Sequence, residues 1–164
     1  MTQPDPKRRI SLERTFHASL EEVWALWTTP AGIESWWGPE GFAVTVQALD
    51  LRPGGKLQYT MAASDPGTIA FMKQNGMPTA TVHTITYAEV SVPRRLAYTH
   101  PVDFVPGVPA YDTSSLIELF PAESGVRMVC TFDAMHDQMW TDRATAGWTS
   151  ELGKLEALLA RKSA

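Results

Sequence analysis

One segment constrains this chain more than any other. From about Asp137 to Arg161 there is no proline, and Trp140, Ala144, Trp148, Leu152, Leu155 and Leu159 recur at spacings of four, four, four, three and four. That period writes a single apolar stripe on a helix about 35 Å long. Such a helix must bury its stripe, and everything upstream is broken into short pieces. Thr141 and Thr145 fall inside the same arc, where their hydroxyls either bond back to the helix backbone or meet a ligand. Gly147, on the edge of the stripe, reads as a close approach of helix and partner surface.

The upstream pieces read mainly as strands. "RRISLERTF" alternates through Ile10 and Leu12. "SLEEVWALW" is a short helix opened by Ser19 and Glu22 as a capping box. Thr29 and Pro30 then start a second short helix, running through Ile33 and stopping at Gly38-Pro39. "FAVTVQALDL" and "KLQYTM" flank the turn "RPGG". Residues 62–78, with two prolines and two glycines, read as a long turn region. "TATVHTITYAEV" and "RRLAYTH" form a hairpin around Pro93, residues 101–112 a Pro-rich loop, and "TSSLIELF" and "VRMVCTF" a last hairpin about Ser124-Gly125. The expected architecture is α+β: one strand, two short helices, six antiparallel strands, and the long helix covering one face of the sheet. A chain of 164 residues accommodates this as one domain, taken as 8–162 behind a loose tail at 1–7.

Charge and composition narrow the function. A net charge of −4 argues against nucleic acid, which selects a basic face. The single cysteine, Cys130, rules out an internal disulfide. The N-terminal residues lack the apolar core of a secretory signal, and no run of about 18 apolar residues suggests membrane insertion, so the expected location is the cytoplasm. The four histidines show no metal-ligand spacing, and no metal or cofactor is expected.

"PAGIESWWGPEGF", residues 30–42, sets Trp36 beside Trp37. Adjacent residues on a helix face different ways. The segment therefore has apolar material on two sides, as a plug over one end of the sheet would, with one ring inward and one toward a neighbouring loop.

Residues 14–61, with Thr28 to Pro30, Trp36 to Gly41 and the "DLRPGG" of Asp50 to Gly55, closely resemble the START-like (SRPBCC) superfamily. The match is to its branch named for homology to the activator of the heat-shock protein 90 ATPase. "YAEVSVPRRLAYT" and "AGWTSELGKLEALL" resemble the same family's hairpin and closing helix. The resemblance implies a helix-grip fold, a curved antiparallel sheet wrapped on the C-terminal helix around a mostly apolar cavity. Ile85, where the family often has glycine, and the apolar loop 101–112 depart from the pattern and imply a differently shaped cavity.

Strand parity then selects candidate ligand-binding residues. His83 shares a face with Ile85 and Tyr87, and His100 with Leu96 and Tyr98. Two inward histidines either orient a ligand or act as acid and base, or else are hydrogen-bonded core residues. Glu118 alternates with Leu116 and Phe120, which turns a carboxylate inward unless the strand is an edge. Tyr59, Met61, Met128, Trp140, Ala144 and Trp148 complete the expected lining, with Trp36 and Trp37 at its plugged end. Cys130, in phase with Val126, Met128 and Phe132, reads as a small buried hydrophobe rather than a nucleophile.

Three functions compete. The first is binding of a small hydrophobic ligand with no fixed chemistry. The second is a cyclase-like or hydrolase-like enzyme built on His83, His100 and Glu118. The third is a chaperone partner, which the family name suggests; this chain has the length only of the activator's C-terminal part. The first is preferred, no catalytic residue is assigned, and aromatic surface near residue 37 offers a homodimer contact.

Overall fold

The computed structural model describes residues 8–162. The order is β1 (Arg9–Phe16), α1 (Leu20–Thr28), α2 (Pro30–Glu34), β2 (Phe42–Leu49), β3 (Lys56–Ala63), α3 (Pro66–Gln74), β4 (Ala80–Ser91), β5 (Arg95–Val102), β6 (Tyr111–Ala122), β7 (Gly125–Asp133) and α4 (Gln138–Lys162). The expected tail at 1–7 lies outside the described residues. All strands join one antiparallel sheet in the order β1-β7-β6-β5-β4-β3-β2. Successive strands from β2 to β7 are neighbours, as local hairpins require. The α1–α2 pair carries the chain from one sheet edge to the other, and so spans one end. This is the helix-grip architecture.

Alternation sorts the two faces. On β6 and β7, Thr113, Ser115, Ile117, Leu119, Val126, Met128, Cys130 and Phe132 are buried on the inner face. Their outward neighbours keep partial exposure. Bulges between Val46 and Ala48 and between Tyr87 and Glu89 bend β2 and β4, and such bends help a sheet to curve.

The plug is built from tryptophans. Ser19 caps α1 and Thr29 caps α2, each accepting an N–H from three residues on. Trp27 and Trp36 meet edge to face at 4.7 Å. The Trp36 indole donates to the Leu26 carbonyl at 2.8 Å, and that of Trp27 to the Met128 sulfur at 3.2 Å. Trp37 is also buried, 8% exposed, and turns to Tyr59 and Tyr98 rather than to a loop. Both tryptophans face inward, because the plug is sandwiched between α1 and the sheet. Trp37 therefore offers no surface for a dimer.

Two other expectations are corrected. Residues 62–78 contain a helix, α3, with Asp65 as its N-cap and Pro66 in its first turn. No residue of α3 is buried, so it carries no apolar stripe to betray it. The loop expected at 101–112 is shorter, because β5 continues to Val102 and β6 begins at Tyr111.

α4 is buried unevenly. Leu152, Leu155 and Leu159 are sealed against the sheet, whereas Trp140, Ala144 and Trp148 stay half-buried. Arg14 of β1 pairs with Glu156 at 2.5 Å. A Cβ placed on Gly147 would have nothing within 4 Å, so this glycine marks open space and not the close approach expected of it.

Close approach occurs instead at Gly32. A methyl there would overlap the Ala25 carbonyl and come within 2.8 Å of the Leu26 Cα. Gly32→Ala is expected to cost about 2–3 kcal/mol in urea unfolding. Gly153→Ala, on an open face of α4, is expected to stabilise by about 0.5–1 kcal/mol.

Candidate functional site

The interface between the sheet and α4 is sealed at one end and partly exposed at the other. Leu57, Ile85, Tyr87, Leu96, Ile117 and Leu119 fill the sealed end with the three leucines of α4. Tyr59, Met61, His83, His100, Trp140, Ala144, Thr145 and Trp148 all retain partial exposure toward the open end. Trp148 lies across the inner wall, stacked on Phe132 at 5.1 Å and 5° and 6.3 Å from Trp27. Trp140 sits at the rim between Phe104 and His136, with the Arg143 guanidinium over its ring.

The two inner-face histidines come together. His83 stacks on Tyr59 at 5.2 Å, and its Nε2 is 2.7 Å from the Thr81 hydroxyl. His100 Nε2 is 3.0 Å from the Thr113 hydroxyl. Burial lowers the pKa of both, and the nearby His83 lowers that of His100 further. Both rings are therefore biased toward the neutral form.

Glu118 is not with them. β6 presents Thr113, Ser115, Ile117 and Leu119 inward, so Glu118 stands on the outer face, bonded to Arg95 at 3.0 Å. Leu116 and Phe120 lie on the outer face too, and Phe120 is covered by the Arg127 guanidinium. Glu118 therefore does not share a site with His83 and His100. Trp36 and Met128, 1% and 0% exposed, are core residues bonded to the plug and not part of an accessible wall. The Thr141 and Thr145 hydroxyls donate back to the helix carbonyls of Asp137 and Thr141, and Thr141 also accepts from the Met135 N–H.

The structure adds a residue to the expected set. Glu151 lies on α4 three residues after Trp148. Burial of its carboxyl pushes the pKa up to about 7, against the lowering effects of the Gly38 N–H and the Lys154 charge. Gly38 adopts φ 88°, a left-handed turn suited to glycine, directly after the tryptophan pair. Lys154 extends to the carbonyls of Gly38 at 2.9 Å and Trp37 at 3.4 Å. The Tyr59 and Tyr98 hydroxyls are raised first by burial and then by the Glu151 charge. Trp37 packs on both tyrosine rings, at 5.4 and 6.3 Å. One carboxyl, two phenols and an indole thus share the boundary between the sealed and open ends. The Trp37 Nε1 and the Tyr87 hydroxyl are buried with no hydrogen-bond partner among the described residues.

Cys130 lies on the inner face at 0% exposure, and burial pushes its thiol up to about 12. It is no nucleophile. Among the described residues no cluster of three or more histidine, cysteine or acidic side chains is placed to hold a metal. No described helix is long and apolar enough to cross a membrane. On the outer face a depression of about 230 Å³ is lined by Ala97, Thr99, Ser114, Leu116 and Thr131 between Arg9 and Arg95. Both arginines are already paired, with Asp133 and with Glu89 and Glu118, which leaves no free charge to select a ligand there.

Glu151 makes stability depend on pH in a defined direction. Its pKa is higher folded than unfolded, so its contribution is fully present below pH 4.5 and is lost as pH rises to about 7. The loss amounts to up to about 3 kcal/mol. Glu151→Gln is expected to melt higher than the parent near pH ~8 and to lose that advantage toward pH ~5, as followed by thermal denaturation across pH.

The sequence matches the family model described as Activator of Hsp90 ATPase homolog 1-like protein over residues 17–160. The crystal structure of CV1439 from Chromobacterium violaceum is similar, at 26% identity and a TM-score of 0.72 over 92% of this chain and 96% of that one. NE0264 from Nitrosomonas europaea shows 25% identity and a TM-score of 0.70 over 98% of this chain and 99% of that one. The AHSA1 (SPO3351) protein from Silicibacter pomeroyi shares the fold, at 22% identity and a TM-score of 0.73 over 94% of this chain and 99% of that one. No curated protein matches the sequence. With the family model spanning the plug, the sheet and nearly all of the gripping helix, the chain belongs to the Activator of Hsp90 ATPase homolog 1-like family of the START-like (SRPBCC) superfamily.

Proposed function

We propose that this protein binds a small hydrophobic molecule between the inner face of the sheet and the N-terminal half of α4. One observation carries the reading. Tyr59, Met61, Trp140 and Trp148 line the inner face yet keep partial exposure, while the same face is sealed one helical turn further along. Inward-facing aromatic surface left accessible is surface that a ligand can cover. The polar groups there are few and largely uncharged: two histidines biased toward neutrality, two threonines and the high-pKa tyrosines. Such a lining favours an apolar body over a charged one.

The reading is tested by native mass spectrometry of protein purified from its source host, followed by denaturing extraction. A stoichiometric apolar compound is expected. An empty protein whose melting temperature is unmoved by a panel of hydrophobic compounds would sink the proposal. For any compound that binds, Trp148→Ala is expected to weaken binding about tenfold, because the indole offers a stacking face worth about 1 kcal/mol or more. Tryptophan fluorescence titration provides the measurement.

A further inference from the structure

We propose that the rim at the N-terminal end of α4 docks a cationic segment of a partner protein, one that carries lysine or arginine beside apolar side chains. This is an outward surface, so the proposal goes beyond the ligand-binding reading and does not rest on it.

The rim joins the β5–β6 loop to the start of α4 and the connection before it. The Phe104 and Trp140 rings lie 5.8 Å apart, and Trp140 lies 6.0 Å from the His136 ring. The Tyr111 hydroxyl is 2.7 Å from His136 Nδ1 and accepts the His136 backbone N–H at 3.2 Å. On this frame Phe104 is 58% exposed and Met139 53%. Large apolar side chains left wet on one frame are surface that a partner covers.

The surrounding charge gives the partner its sign. Asp103 precedes Phe104, and Asp112 follows Tyr111. Asp137 opens α4 by accepting the Trp140 N–H at 2.8 Å, and Asp142 accepts from Gln138 one turn on. All four are exposed, and none forms an ion pair with a described lysine or arginine. Glu13, Asp50, Glu89, Glu118, Asp133 and Glu156 all do. Arg143 is the one lysine or arginine within residues 103–112 and 135–146, which leaves these segments at −3 where the whole chain is −4. Arg8 reaches Gln138 at 2.7 Å and offsets one of these charges at the margin. Carboxylates without a counter-charge, set around exposed rings, repel an anionic membrane or nucleic acid and attract a cation. A second copy meeting rim to rim would bring the same sign against itself. Trp140 already shows the preference within the chain, with the Arg143 guanidinium 5.0 Å over its ring.

The test titrates three short fluorescein-labelled peptides into the intact protein by fluorescence anisotropy: one of lysine and leucine, one of glutamate and leucine, one of lysine and serine. The lysine–leucine peptide is expected to bind about tenfold more tightly than either of the others, and to weaken as salt is added. Asp103→Asn with Asp112→Asn is expected to weaken it about fivefold, through two exposed charge contacts. Phe104→Ser is expected to weaken it about tenfold. Asp137 is left intact because it caps α4. Glu21→Gln with Glu123→Gln removes the same charge from the start of α1 and the β6–β7 turn, at the other end of β6. That variant is expected to keep the parent affinity within about twofold. Equal losses in the two double variants would mean general attraction to an acidic protein and overturn the rim as the site. Tightest binding of the glutamate–leucine peptide, or of none, overturns the cationic partner. Binding to phosphatidylglycerol vesicles in place of the peptides, or a monomer–dimer equilibrium in sedimentation, either one abolished by Phe104→Ser, gives the surface to a membrane or to a second copy and overturns the proposal as well.

Discussion

The seam between α4 and the plug holds the architecture in place. Lys154 reaches three backbone carbonyls between Trp37 and Phe42, and Ser150 accepts the Glu40 N–H at 3.2 Å. With the Glu151 carboxyl near the Gly38 N–H, one turn of helix is clamped to one turn of chain. Beyond this seam the helix has two regimes. On the C-terminal side, leucines sink into the sheet and Arg14 ties β1 to Glu156. On the N-terminal side, the helix is held by the Thr141 hydroxyl at Met135 and by the Trp148–Phe132 stack, and its inner residues stay accessible. A helix fixed in the middle and sealed on one side leaves its open space on the other. Packed interiors hold few voids, so accessible inner-face aromatics mark where packing stops.

Much of the fold was legible because one-sided burial writes a period. The stripe from Trp140 to Leu159 located α4, and the alternation in β4 to β7 located the strands. Parity also put His83 and His100 on the inner face, since Ile85, Tyr87, Leu96 and Tyr98 are all core. Parity misled at Glu118 for a physical reason. Alternation with Leu116 and Phe120 points Glu118 inward, but the outer face of β6 carries apolar residues of its own, shielded by neighbours such as Arg127. Both faces of β6 are apolar around Glu118, and the inner face also holds the small polar residues Thr113 and Ser115, so polarity alone does not name the buried set. α3 was hidden because a helix that buries nothing shows only its cap.

Glu151 is the reverse case. A carboxylate on a long helix ordinarily belongs to a solvated face. The signal lay in its spacing, three residues past Trp148 and four before Leu155, which sets it at the margin of the apolar arc. The sequence did not show that the plug folds back over this margin, because that contact joins segments more than a hundred residues apart. Trp36 and Trp37 raised the same question from the other side. Their neighbours, Tyr59, Tyr98 and α1, belong to three different elements.

The lone thiol has a practical consequence. Cys130 is fully enclosed, its pKa stands at about 12, and the chain holds no other cysteine. Alkylating reagents therefore meet a reactive sulfur only when β7 separates from the structure around it. The wild-type chain carries its own clock for opening: under native conditions the rate of modification reads how often the sheet lets go of its centre. The same enclosure leaves the native protein free of background reaction, so a cysteine introduced at the rim can carry a label with no prior substitution.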